Sequence, residues 1–170
     1  MSDDPQSPRN VQPPYRVEVT DRAAELQSAH ESLPAGEGSG KTATVAGRVM
    51  LLRDMGKMAF ATLRDSSGAV QLWARANKSD DFAGFTSLVL GDWVVATGEV
   101  IRTKRGEVSV AVESWQVLAA TRHGFGDKWK GVTDTDLRYR QRYVDLWANE
   151  GSREVFLDRS RIISLVRRFL

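Results

Sequence analysis

The chain has 170 residues, 41% of them hydrophobic, a length that allows one well-packed domain with smaller appendages. It has no cysteine and only two histidines, His30 and His123, so disulfides and cysteine nucleophiles are excluded, and neither a metal site nor a Ser-His-Asp triad is expected. Its net charge of +2 is too small to indicate nucleic-acid binding by itself. Because it has neither a bilayer-length apolar run nor a signal peptide, we expect a soluble, cytoplasmic protein without a membrane partner.

The first segment, residues 1–40, is predicted to contain a leader, a short helix and a connector. Residues 1–14 carry four of the five prolines and are expected to be disordered. Residues 21–33 contain helix formers behind a cap at Thr20 or Asp21. Glycines at 36, 38 and 40 then predict a flexible Gly/Ser connector.

The connector contains AGEGSGKT, residues 35–42, which fits a relaxed phosphate-binding P-loop pattern. A working P-loop follows a buried strand and opens a helix, because main-chain N–H groups at the helix N-terminus hold the phosphate. Here a helix precedes the motif and a strand follows it. The order favours a connector over a nucleotide site, with Lys41 as a solvated cation.

Residues 41–121 are predicted to form a five-stranded domain with a helix over 79–90, behind a Ser79 or Asp80 cap. Period-two patterns rich in β-branched and aromatic residues indicate the strands. Three strands, a helix and two strands are typical of the OB-fold, a Greek-key barrel. The predicted fold class is therefore mainly β with short flanking helices, and a generic SH3-like barrel is the alternative. The strands are expected at 44–52, 58–64, 69–74, 93–101 and 108–118.

Beyond the barrel, residues 122–151 are predicted to form a Gly-punctuated linker with a helix over 133–148, behind Thr133 or Asp134. A last helix over 152–170 carries Val155, Ile162, Val166 and Phe169 on one face. A face so apolar normally packs against a partner.

Three residues of the first strands form the candidate binding site: Arg53, Phe60 and Gln71. Aromatic rings on this face of an OB-fold stack on bases, and amide or guanidinium groups read base edges. The pattern alone favours Phe60 as an ordinary core residue. Lys57 and Lys104, in the turns before strands two and five, are candidate phosphate contacts.

The stretches VAGRVMLLRDMGKMAFATLRDSSGAVQLW, LGDWVVATGEVIRTKRGEVSV and, above all, RYRQRYVDL resemble the N-terminal region of class II lysyl-tRNA synthetases. The resemblance implies that the barrel recognises the lysine tRNA anticodon. It implies that Phe60 stacks on the central uridine and that Gln71, eleven positions later, hydrogen-bonds it, which reverses the core interpretation of Phe60. Arg53 matches a basic contact of the family and Glu107 a polar position of the same surface. The family's Pro-containing hinge is replaced here by TRHGFGDK.

The same resemblance ends inside the helix of class II motif 1, before the motifs that hold ATP and the adenylate. No catalytic residue is therefore assigned, and ATP and magnesium are expected to belong to a catalytic domain outside this chain. Residues 152–170 are a candidate contact for a homodimer or a synthetase partner. The alternatives are the recognition half of an active lysine-tRNA ligase, a protein of the lysyl-phosphatidylglycerol synthase type, and a protein-interaction module that does not bind RNA.

Overall fold

A computed structural model of the chain describes residues 12–121 and 131–170. The chain divides into two compact units, Met1–Gly124 and Phe125–Leu170, and each is considered by itself. Most of the predicted leader and the linker residues 122–130 lie outside the described residues. No helix in the described part of the chain is both long and apolar enough to cross a membrane.

The first unit is a five-stranded closed barrel with the strand order β1-β2-β3-β5-β4. All neighbouring strands are antiparallel except β3 and β5, which run parallel through three paired positions. This order confirms the predicted OB-fold. The strands are β1 (Gly38–Asp54), β2 (Met58–Arg64), β3 (Ala69–Arg75), β4 (Trp93–Arg102) and β5 (Val108–Ala119).

Alternating side chains fill the barrel, and the residues between them point outward. On β2 the buried positions are Ala59, Ala61 and Leu63, whereas Phe60 and Thr62 are half-buried. Two of these three inward residues are alanines, because a closed barrel of five strands leaves little interior space. The core is completed by Val45, Val49, Val70, Leu72, Val94, Val100, Val110 and Val112.

The first strand begins earlier than predicted, so residues 38–41 are part of the sheet and not a flexible connector. Gly38 pairs with Ile101, and the Ser39 hydroxyl donates to the main-chain oxygen of Val100 at 2.7 Å. The register shifts before Thr42, and Gly40 has a φ of +69°, a conformation that glycine adopts without strain. The AGEGSGKT stretch thus enters a strand, the opposite of a P-loop.

Two short helices flank the barrel, and both are shorter than predicted. The first, α1 (Ala23–Ala29), is not capped by Thr20 or Asp21. Its first amides donate to Asp65 and Ser67, which lie in the turn between β2 and β3. Only two of its residues, Ala23 and Leu26, are buried, so apolar packing stabilises only a short helix.

The second helix, α2 (Phe82–Thr86), begins after Asp81, whose carboxylate accepts from the Gly84 amide. Ser79 is not a cap, because its buried hydroxyl donates to the oxygen of Val112 and accepts from the Arg75 amide. Phe85 inserts into the core edge-on to Trp115, with ring centroids 5.5 Å apart.

Residues 131–170, the described part of the second unit, form three helices in place of the two predicted: α3 (Thr135–Arg140), α4 (Arg142–Ala148) and α5 (Glu150–Phe169). Asp134 caps α3, and it is one of the two residues predicted to do so. The predicted single helix over 133–148 breaks at Gln141, whose φ and ψ of −114° and 58° are not helical. The break lets arginines from both pieces reach one carboxylate, Asp145.

Candidate nucleic-acid interface

An outward-facing row of side chains crosses the first three strands of the barrel. Arg53 on β1 pairs with Phe60 on β2, and Phe60 pairs with Trp73 on β3. We call these three residues the outer row. Because side chains directly opposite on paired strands have Cβ atoms about 5 Å apart, the row is a continuous surface. Phe60 is therefore not a core residue, since its neighbours Ala59 and Ala61 occupy the interior.

The two rings of the outer row are arranged in parallel. The Phe60 and Trp73 ring centroids are 6.4 Å apart, with 6° between the ring planes. The guanidinium carbon of Arg75, two residues along β3, lies 4.2 Å from the Trp73 ring centroid. The indole N–H of Trp73 and the Nε of Arg75 are buried and have no hydrogen-bond partner in the described part of the chain. The row thus presents parallel aromatic faces beside a guanidinium group.

Next to the outer row, three polar side chains form a hydrogen-bonded group that we call the polar cluster: Gln71, Glu107 and Ser109. Gln71 pairs with Thr62 and Ser109 across the strands, and its side chain is only 6% exposed. Its Nε2 donates to a Glu107 carboxylate oxygen at 2.9 Å, and its Oε1 accepts from the Ser109 hydroxyl at 3.0 Å. Gln71 lies diagonally across from Phe60, about 7 to 8 Å away.

The predicted lysines lie in turns at the borders of this surface. Lys57 is exposed at the end of the β1–β2 turn, where Gly56 has a φ of +81°. Lys104 is exposed in the β4–β5 turn, which is closed by hydrogen bonds between Thr103 and Glu107. Neither lysine is part of the outer row or the polar cluster, so their role as phosphate contacts stays a prediction.

The structure brings four of the predicted site residues together: Arg53, Phe60, Gln71 and Glu107. Parallel rings can stack on a base, an amide can read its edge, and a guanidinium can neutralise a phosphate or stack. The sequence reasoning missed Trp73, Arg75 and Ser109. The signal was present, because on one strand Gln71, Trp73 and Arg75 alternate and so point to the same face.

A separate polar site is formed in the second unit around the buried carboxylate of Asp145. It accepts hydrogen bonds from Arg138, Arg142, Asn149 and Ser152 at 2.5 to 3.2 Å. Burial raises its pKa, but these hydrogen bonds outweigh burial and lower the pKa from 3.8 to about 2. The carboxylate of Asp145, in the RYRQRYVDL stretch, thus accepts hydrogen bonds from side chains of α3, α4 and α5.

The described residues include no group of three or more His, Cys, Asp or Glu side chains arranged to hold a metal ion. The outer row and the polar cluster carry aromatic, amide, hydroxyl and guanidinium groups together with one carboxylate.

Comparisons with known proteins agree with this geometry. Residues 43–118 match the family described as OB-fold nucleic acid binding domain. The chain is 45% identical to a lysine–tRNA ligase of Synechococcus sp. (strain RCC307), over 94% of the chain and 32% of that protein. It is 44% identical to a lysine–tRNA ligase of Prochlorococcus marinus (strain MIT 9303), over 92% of the chain and 34% of that protein. The chain thus spans about a third of the length of the curated relatives it matches.

Proposed function

Because the chain carries an anticodon-binding OB-fold domain and matches the N-terminal part of lysyl-tRNA synthetases, we propose that it recognises the anticodon of lysine tRNA. The outer row and the polar cluster are the proposed binding surface. In this proposal Phe60 stacks on the central uridine of the anticodon, and the Gln71 amide hydrogen-bonds the edge of that base. Since tRNA is used where translation takes place, we propose a cytoplasmic location.

The observation that carries this proposal is the outward position of Phe60 beside Gln71. A phenylalanine inside the barrel could not reach a ligand, whereas this ring lies on the same face as a buried, hydrogen-bonded amide. Arg53 continues the row on β1. Lys57 and Lys104 lie in the bordering turns, where the phosphates of a bound loop would pass.

The test is binding of an anticodon stem-loop with a UUU anticodon, measured by fluorescence anisotropy with the full chain. Removing a stacking ring typically costs about 1 to 3 kcal/mol of binding free energy per base. We therefore expect Phe60→Ala to weaken binding by this amount.

A matched control is Trp93→Ala, which removes an exposed aromatic side chain of β4 outside the proposed surface. It should leave the dissociation constant unchanged. Equal binding by wild type and Phe60→Ala would contradict the stacking role, and so would equal binding of the UUU loop and a scrambled loop.

We further propose that adenylate formation, with its ATP and magnesium, belongs to the two thirds of the synthetases that this chain does not match. The chain then contributes tRNA recognition and no catalytic residue. Lysine-dependent exchange between ATP and pyrophosphate should be undetectable with the purified chain. Measurable exchange would contradict this part of the proposal.

We also propose that α5 pairs with a second copy of the chain. Its apolar side chains Val155, Ile162, Val166 and Phe169 are between 51% and 90% exposed. Residues 150–159 carry three acids and two arginines, a net charge of −1, and residues 160–169 carry three arginines, a net charge of +3. An antiparallel pair places unlike charges side by side, as a two-fold symmetric interface allows.

A further inference from the structure

The side-chain amide of Gln71 is held on both sides, although an amide has two nearly equivalent orientations. Rotation by half a turn exchanges the oxygen and nitrogen positions with almost no change in shape. A glutamine that is free to rotate could offer a base either a donor or an acceptor at each position. The groups that contact the amide therefore decide which hydrogen-bonding pattern a bound base meets.

Glu107 determines the orientation, because an ionised carboxylate can only accept hydrogen bonds. The amide nitrogen must face the carboxylate, as it does at 2.9 Å from Oε2. The reverse orientation would place the amide oxygen against a negative charge. The Gln71 oxygen consequently faces Ser109, whose hydroxyl then has to be the donor, at 3.0 Å.

Ser109 follows the direction set by Glu107. Its hydroxyl has one proton, and the competing acceptor, the main-chain oxygen of Glu107, is more distant, at 3.3 Å. Serine can also accept a hydrogen bond, so it would tolerate either orientation of the amide. The orientation of the Gln71 amide is thus determined by the charge of Glu107 and reinforced by the hydroxyl of Ser109.

The amide keeps part of its hydrogen-bonding capacity for a ligand. One N–H of Nε2 and one lone pair of Oε1 are not used by the bonds to Glu107 and Ser109. We propose that Glu107 is a positioning residue that fixes the direction of the Gln71 amide, with Ser109 in a supporting role, and thereby makes the site distinguish uridine from cytidine. The inference rests on the proposed function and adds the reason why the site would prefer one base over another.

The chemical reason is that the two pyrimidines present opposite patterns on the same edge. Uracil offers an N–H at N3 beside an acceptor at O4, whereas cytosine offers an acceptor at N3 beside an amino donor at N4. An amide of fixed direction pairs with only one of these patterns. An amide that can rotate pairs with both.

The test compares stem-loops with UUU and UCU anticodons, using the full chain and its variants. The wild type is expected to prefer the UUU loop by roughly tenfold to a hundredfold, the usual discrimination of one bidentate contact. In Glu107→Gln the new amide can donate or accept, so both Gln71 orientations are satisfied. We expect this variant to bind the UUU loop up to about twofold more weakly, because only part of its population holds the productive orientation, and the UCU loop more tightly, with a preference below about threefold.

Three variants complete the design. Ser109→Ala should retain most of the preference, because the carboxylate still orients the amide. Gln71→Ala should abolish the preference, because the reading group is gone. Glu113→Gln neutralises an exposed carboxylate elsewhere on β5 and should bind both loops as the wild type does.

The outcomes separate this inference from the proposed function. If the wild type binds neither loop, the proposed function itself fails. If it binds both loops equally, or if Glu107→Gln keeps the full preference or loses affinity for both loops equally, the positioning role is overturned. A preference that persists in Gln71→Ala, or that disappears in Ser109→Ala, would also overturn it.

Discussion

At the scale of single residues, Trp73 has an unusual environment. It is in contact with Phe60 on the neighbouring strand and with the guanidinium of Arg75 on its own strand. Parallel aromatic pairs and cation–π contacts of this kind each contribute about 1 kcal/mol. Its indole N–H is buried without a partner in the described residues, so the side chain serves through its ring and not through its donor.

From this environment we predict that Trp73 acts on RNA binding through Phe60. Trp73→Ala should weaken binding of the UUU stem-loop by about 1 kcal/mol, because Phe60 loses the ring that orients it. Trp73→Phe should bind nearly as well as the wild type, since it keeps an aromatic ring and removes the unpaired N–H.

A double-mutant cycle with Phe60→Ala tests this prediction through the binding free energies. If Trp73 acts through Phe60, Trp73→Ala should have little further effect in the Phe60→Ala background. Fully additive losses would instead mean that Trp73 makes its own contact with the RNA.

At the scale of elements, the three helices of the second unit are held together by a charge. Among the described residues of α3, α4 and α5, Asp145 is the only fully buried one. Arg138 comes from α3, Arg142 from α4 and Ser152 from α5, and all three donate to its carboxylate. The guanidinium of Arg142 also lies 5.2 Å from the Phe156 ring on α5. The packing of these three helices therefore depends on the ionised carboxylate of Asp145 more than on apolar contacts.

Asp145→Asn should therefore destabilise the packing of α3 to α5 by about 2 kcal/mol, because two arginines lose their charged acceptor. Hydrogen exchange of the full chain should show faster exchange in residues 135–169 and unchanged protection in β1 to β5. Wild-type exchange in these helices would contradict the role given to the carboxylate.

The lowered pKa of Asp145 also predicts the acid response of this unit. The folded-state pKa of about 2 lies below the ordinary 3.8, so the unfolded chain takes up the proton first. The stabilisation is complete above about pH 4 and is lost as the pH falls towards 2. Circular dichroism should record a loss of helix over this range.

Asp145→Asn is the control for this acid transition. Hydrogen bonds from Ala23, Ser67 and Gly68 lower the pKa of Asp65 in the barrel against the opposing effect of burial, so part of the wild-type response comes from there. The variant removes only the contribution of Asp145. A helix loss of the same size in the variant would disprove the assignment.

At the scale of the whole molecule, local patterns predicted the strands, and long-range pairing determined their limits. Period-two alternation predicted all five strands, yet β1 starts at Gly38 because β4 supplies partners as far as Ile101. Capping of α1 was missed because Asp65 and Ser67 are about forty residues away in sequence. Whether Phe60 points into the barrel or outward could not be predicted, because alternation does not say which face of a strand lies inside.

The proposed pairing of α5 also belongs to this scale. Sedimentation equilibrium of the wild type should show a concentration-dependent dimer. Val166→Glu should abolish the dimer, because it places a charge in the apolar face. Ser164→Glu is the matched control, since two residues along a helix correspond to a rotation of about 200°. Similar dimerisation of both variants, or a wild type that stays monomeric, would contradict the proposal.

The short parallel pairing of β3 and β5 couples the proposed binding surface to the closure of the barrel. Three paired positions close the barrel there, from Gln71 with Ser109 to Trp73 with Ala111, and parallel pairs are slightly less stable per residue than antiparallel ones. The polar cluster spans this same join, with Gln71 on β3 and Ser109 on β5. A ligand that binds the polar cluster therefore also stabilises the contact between β3 and β5. By linkage, the free energy by which ligand binding stabilises this contact equals the free energy by which the intact contact strengthens ligand binding.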